Sequence, residues 1–168
     1  QTGDRRRFTL AHELGHLVMH RFPTTDMETE ANTFASSLLM PRANIRKYFE
    51  GKKVDLRLLA GLKPEWRVSM QGLLHRAQDL GVVSYNQARY LWSQFNAQKI
   101  KMREPPELDI TPEEPTMMPK LLRLHLDELG YSLLDLAEMV KMFEDELIDF
   151  QRISTITTES GRPRLRVI

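Results

Sequence analysis

Phe8-Thr-Leu-Ala-His-Glu-Leu-Gly-His-Leu-Val-Met-His20 is the stretch on which the reading of the chain turns. His12 and His16 are four apart, so on a helix their rings stand one turn above each other on one face. Two imidazoles placed so reach one zinc ion at about 2.0–2.1 Å, and Glu13, beside the first, is placed to take a proton from water at the metal. Zinc lowers the pKa of such a water toward roughly 7 and polarises a bound carbonyl. In a chain with 5 histidines, about 0.01 accidental matches to this pattern are expected. The flanks Phe8, Leu10, Ala11, Leu14, Leu17 and Val18 predict a helix over 7–20 that is at least partly buried. Neighbouring buried imidazoles need a partner, which argues against two incidental surface histidines.

A catalytic zinc takes a third protein ligand and keeps a fourth position open. The chain has no cysteine, which leaves His, Asp or Glu for that role. The same absence excludes disulfides, thiolate ligands and a cysteine nucleophile, and it fits a reducing cytoplasm. His20 continues the four-residue ladder but lies about 12 Å from His12 along the axis; it reads as a last-turn histidine near the carbonyl end of its helix. Glu28 and Glu30 are better placed, opening a second helix expected over 26–39 with Thr25 as N-cap and Met40-Pro41 as its stop. Each also has a plain structural use. Thr25-x-x-Glu28 fits a capping box, and Glu30 fits a solvated first-turn acid. Helix-face geometry favours Glu28, since Asn32 four residues on is placed to hydrogen-bond a ligating histidine, while Glu30 stays open as the alternative. Two nitrogens and a carboxylate suit zinc, and they accept manganese as well.

The 168 residues carry a net charge of +1, which gives no overall pull toward nucleic acid or a membrane surface. No apolar run approaches the length of a membrane span, so no membrane partner is expected. The near-neutral total hides blocks: net −1 over residues 1–40, +9 over 41–103, −10 over 104–150 and +3 over 151–168. Such asymmetry implies either that the middle and late blocks dock on each other or that each has its own charged partner. Residues 104–119 hold five of the 9 prolines and predict a stiff, non-helical connector.

Elsewhere the pattern is mostly helical. Short helices are expected from Pro41 to about Tyr48 and around Leu56–Leu62. Ser69–Leu80 and Ser84–Phe95, joined across Gly81, have helix-turn-helix proportions. Helices over 120–129 and 132–142 follow, and the chain closes on a strand-like Arg162-Pro-Arg-Leu-Arg-Val-Ile. Arg76, Arg89, Lys99, Lys101 and Arg103 accompany the helix-turn-helix, so DNA is a possible though less favoured partner, with a helical pair of solvated basic residues as the simpler reading. His75 and His125 lack a partner at metal-ligand spacing and read as ordinary histidines. Trp66 and Trp92 read as core aromatics, and Met19, Met40 and Met70 as gap-fillers.

Residues 5–41 resemble the ImmA/IrrE family of zinc metallopeptidases. The resemblance rests on the stretch Phe8–His20 together with Glu28-x-x-Ala-Asn-x-Phe-Ala-x-x-Leu-Leu-Met-Pro41. It implies His12 and His16 as zinc ligands, Glu13 as general base and Glu28 as third ligand. It also implies a cytoplasmic endopeptidase whose substrate is a helix-turn-helix transcriptional repressor, in the control of mobile elements or stress responses. Trp66–Ser84 is more loosely similar to the segment that follows the peptidase helices in longer members, and Leu129–Ala137 is faintly similar to a repressor-type helix-turn-helix. Peptidases of this kind place a small sheet before the motif helix, and only eleven residues precede His12. Metal binding is therefore expected to be more secure than proteolysis. The expected fold is mainly α. A zincin-like core occupies 1–50, a basic helical region 51–103, a proline-rich linker 104–119, and an acidic helical region with minor β at its end 120–168. The alternative function is a non-catalytic module that binds DNA or a repressor.

Overall fold

A computed structural model describes residues 2–151, 153–157 and 163–167. It is mainly helical, with a terminal hairpin, and it divides into two compact units, residues 1–113 and 114–168.

The first unit runs through α1 (Gly3–Met19), α2 (Met27–Leu39), α3 (Arg42–Phe49), α4 (Leu56–Trp66), α5 (Met70–Asp79) and α6 (Tyr85–Ala97), followed by a 3-10 turn at Pro106–Leu108. Its apolar core is built from α3 to α6, where Phe49, Leu59, Leu73, Leu74 and Phe95 lose all or nearly all of their accessible surface. The core draws on both sides of residue 50, so α3 and the basic helices share one interior. The helix-turn-helix proportions are realised by α5 and α6. Ser69 caps the first by accepting from the Gly72 amide, and Ser84 and Gln87 cap the second reciprocally. Trp92 packs at a tilt against Phe95 and His75, and Trp66 meets Tyr48 nearly at right angles. Met40 and Met70 are buried fillers, whereas Met19 is exposed.

Three expectations need correcting here. The motif helix begins at Gly3 rather than Arg7, because tertiary contacts extend it: the Gly3 amide donates to the Ile110 carbonyl at 2.7 Å, and Asp4 pairs with Lys63 at 3.0 Å. Its leucine stripe is not buried. Leu10, Leu14, Leu17 and Val18 are all exposed, Leu17 by 84%, because the face of α1 that meets α2 is the small-residue face of Ala11 and Gly15. The proline-rich stretch is also more structured than a connector. Glu104 is buried, Pro106–Leu108 forms a turn, and a helix already starts at Met117.

The second unit contains α7 (Met117–Arg123), which continues through a π turn (Leu124–Glu128), then α8 (Leu133–Val140), α9 (Glu144–Gln151) and the hairpin β1 (Ile153–Thr157) with β2 (Pro163–Val167). Leu122, Leu136, Ala137 and Leu147 form its small core. Ser132 and Asp135 make a capping box on α8. Glu144, Asp145 and Glu146 occupy the first turn of α9, where acids favour the helix dipole. The strands pair antiparallel with Ile153 opposite Val167 and Thr157 opposite Pro163. Arg162 lies outside the described residues.

Candidate metal centre

The centre is made by the closeness of two helices. A Cβ built on Gly15 would stand 3.1 Å from Phe34 Cδ1 and 3.2 Å from the Ala31 Cα, so glycine lets α2 lie against α1 at this level. That approach carries Glu28, in the first turn of α2, over the two rings of α1. The Nε2 atoms of His12 and His16 are 3.0 Å apart, and Glu28 sets one carboxylate oxygen 3.4 Å from each. These three side chains offer donor atoms all within 4.8 Å of one another. Two atoms held at zinc distance about a tetrahedral ion are roughly 3.4 Å apart, so the spacing fits a divalent cation.

The hydrogen bonds around the rings decide what the facing atoms carry. His12 Nδ1 lies 3.0 Å from the Asn32 amide oxygen, which only accepts, so His12 donates through Nδ1 and turns Nε2 toward His16 and Glu28. On the other ring, His16 Nδ1 meets His20 Nδ1 at 3.0 Å, and His20 Nε2 reaches Glu30 at 2.9 Å. The two Nε2 atoms face each other with a carboxylate above them, a donor set that could hold a shared cation. The Glu28 side chain is 72% exposed while both rings are largely covered, so the centre opens to solvent on the carboxylate side. Glu13 is exposed next to His12.

Of the acids weighed from sequence, Glu28 joins the rings and Glu30 does not. The Thr25 capping box does not form: Asp26 occupies the N-cap position, no side chain caps α2, and the Glu28 carboxylate turns to the histidines instead. Asn32 stands on His12 as its spacing predicts. His20 is more than a last-turn histidine, since its ring bridges His16 and Glu30. The signal for this was present in the four-residue step from His16, but nothing in the spacing shows that α2 brings an acid to its far side. His75 rests on Trp92, and His125 bonds the Leu121 carbonyl. Arg76 leaves the basic set read as DNA-facing: it is buried, and it donates to the Met40 carbonyl at 3.0 Å and to Ser37 at 3.2 Å, tying α5 to the end of α2. Burial pushes its guanidinium below the ordinary arginine value.

Two histidines one turn apart around a glutamate, faced by an acid from the next helix, form the donor pattern of a metallopeptidase. Residues 1–78 match the IrrE N-terminal-like domain, the Peptidase_M78 family, and this match supports the resemblance to the ImmA/IrrE family. No curated protein and no solved structure matches the chain. No helix among the described residues is long and apolar enough to cross a membrane.

Proposed function

We propose that the chain is a zinc-dependent endopeptidase of the cytoplasm that cleaves a protein substrate, a helix-turn-helix transcriptional repressor. One observation carries the hydrolytic reading: two imidazole nitrogens and a carboxylate converge, with donor atoms within 4.8 Å, on the helix that carries the exposed acid Glu13 next to His12. His12, His16 and Glu28 would hold the ion, and the same donor set would accept manganese. When bound, zinc supplies a Lewis acid that polarises the scissile carbonyl and acidifies water. Glu13 accepts the proton of the attacking water and returns it to the leaving amine. Asn32 holds the His12 ring so that Nε2 stays directed at the centre. The family that residues 1–78 match supports peptidase chemistry, and the repressor substrate follows from the resemblance.

The other reading is a module that binds DNA or holds a repressor without cutting it. Arg89, Lys99 and Lys101 favour it, being exposed on α6 and just beyond. One experiment separates the two. A repressor is co-expressed with the wild-type chain or with Glu13→Gln, and zinc content is measured on both purified proteins. The peptidase reading expects cleavage to vanish in the variant while zinc stays at wild-type stoichiometry. Repressor control that survives Glu13→Gln favours the binding module. A gel shift at two salt concentrations then tests DNA, since phosphate contacts weaken steeply with salt.

A further inference from the structure

His20 and Glu30 take no part in the chemistry above, yet both are fastened to the centre. His20 Nε2 lies 2.9 Å from a Glu30 oxygen, and a carboxylate only accepts, so the proton of this bond belongs to His20 Nε2. In the neutral ring, His20 Nδ1 then carries a lone pair. His16 Nδ1 is 3.0 Å away and must supply the proton between them. His16 is thereby left with a bare Nε2 on the side where His12 Nε2 and Glu28 stand. The ring centroids of His16 and His20 are 5.0 Å apart and their planes cross at 52°, which suits an in-plane nitrogen contact better than stacking. The His20 side chain is 5% exposed, so water does not compete for either nitrogen.

We infer that Glu30, His20 and His16 form a relay in which His20 and Glu30 are positioning residues, fixing the tautomer and ring angle of His16 and so setting the affinity of the centre for its divalent cation. The inference rests on the metal-centre reading of His12, His16 and Glu28. It also makes the two rings unequal. His12 is held by a neutral amide, whereas the chain behind His16 ends on a carboxylate, and hydrogen bonds that end on a charge are the stronger kind. His16 is then the better anchored donor of the pair.

The test is a zinc titration of the full chain in competition with a chromophoric chelator. Wild type is compared with His20→Ala, His20→Asn, Glu30→Ala and Glu28→Ala, with circular dichroism melts on each. His20→Ala is expected to weaken zinc by about 10- to 100-fold. His20→Asn, whose amide oxygen falls where Nδ1 stood, is expected to recover most of that loss, a rescue that a purely structural role would not give. Glu30→Ala is expected to fall between wild type and His20→Ala. Long-range proton–nitrogen NMR of the zinc-loaded chain should show His16 protonated at Nδ1 in wild type and in His20→Asn. Wild-type affinity in His20→Ala overturns the relay, as does a folded His20→Asn as weak as His20→Ala. Should His20→Ala fail to fold, wild-type affinity in Glu30→Ala overturns it. Failure of the underlying reading looks different: wild type does not bind zinc, or Glu28→Ala binds it as wild type does.

Discussion

Gly15 shows how much of the centre depends on a missing side chain. Alanine there would gain about 1 kcal/mol of helix propensity, but any Cβ lands within 3.1–3.3 Å of Phe34 and the Ala31 backbone. The backbone of α2 cannot rotate away as a flexible side chain would. Gly15→Val is therefore expected to destabilise the chain by about 1–3 kcal/mol, as overpacking does. It should weaken zinc in the same step, because the helix it displaces carries Glu28. Denaturant unfolding and chelator competition measure the two effects, and unchanged zinc affinity in a destabilised protein would separate the helix crossing from the centre. At this scale the sequence was most legible where chemistry dictates spacing: His12 and His16, and Glu28 and Asn32, stand out because positions one helical turn apart share a face, and these four side chains do meet. The His20–Glu30 contact was not legible, since it depends on how closely α2 approaches α1, which no spacing within one helix encodes.

The motif helix has two apolar faces with opposite fates, and substitutions should tell them apart. Leu17 is 84% exposed, and lysine has nearly the helix propensity of leucine, so Leu17→Lys is expected to move stability by no more than about 0.5 kcal/mol. Ala31 has no accessible surface and its Cα stands against Gly15, so Ala31→Leu should cost about 1–3 kcal/mol. Paired thermal melts check both. A large loss from Leu17→Lys would mean that the stripe is covered in solution. Periodicity locates an apolar stripe without saying what, if anything, packs on it, which is why burial of Leu10, Leu14, Leu17 and Val18 was expected and is not found. A cap depends on less than a face does. Ser69, Ser84 and Ser132 each accept from their own helix start, a local bond that needs no partner element. Thr25 fails as a cap because its partner, Glu28, has a stronger use elsewhere.

Across the first unit, charge explains what the proline-rich stretch does. The opening acids of the acidic block pair with bases of earlier helices and loops: Glu113 with Arg67 at 2.8 Å and Arg7 at 3.1 Å, Asp109 with Arg103, and Glu104 with Lys63 at 2.6 Å. The last of these is a buried node. Lys63 of α4 also holds Asp4 of α1 at 3.0 Å, and Glu104 accepts from the Gln71 amide at the start of α5. Burial by itself would raise the Asp4 pKa and lower that of Lys63. For Asp4, hydrogen bonds from Thr2 and Lys63 and the Lys63 charge outweigh burial and hold it below its ordinary 3.8. For Lys63, bonding to Glu104 and Asp4 and their charges outweigh burial and hold it above 10.5. The signs set a window. A depressed carboxyl contributes stability that is present above its ordinary value and is lost as pH falls through the lowered one. A raised lysine contributes stability that is present below its ordinary value and is lost as pH rises through the raised one. The node should therefore hold the unit from about pH 4 to about pH 10 and loosen at either end. Asp4→Asn is expected to cost about 1.5–3 kcal/mol at pH 7, the worth of a hydrogen bond to a charged group. Its deficit against wild type should begin to shrink as pH falls below about 4, where the unfolded chain takes up the proton, and should vanish only once pH passes the lowered value of folded Asp4. Urea unfolding of both proteins between pH 7 and pH 3 measures that gap. A deficit that stays constant across the range would mean that Asp4 stabilises α1 through packing alone and that its charge contributes nothing to the node.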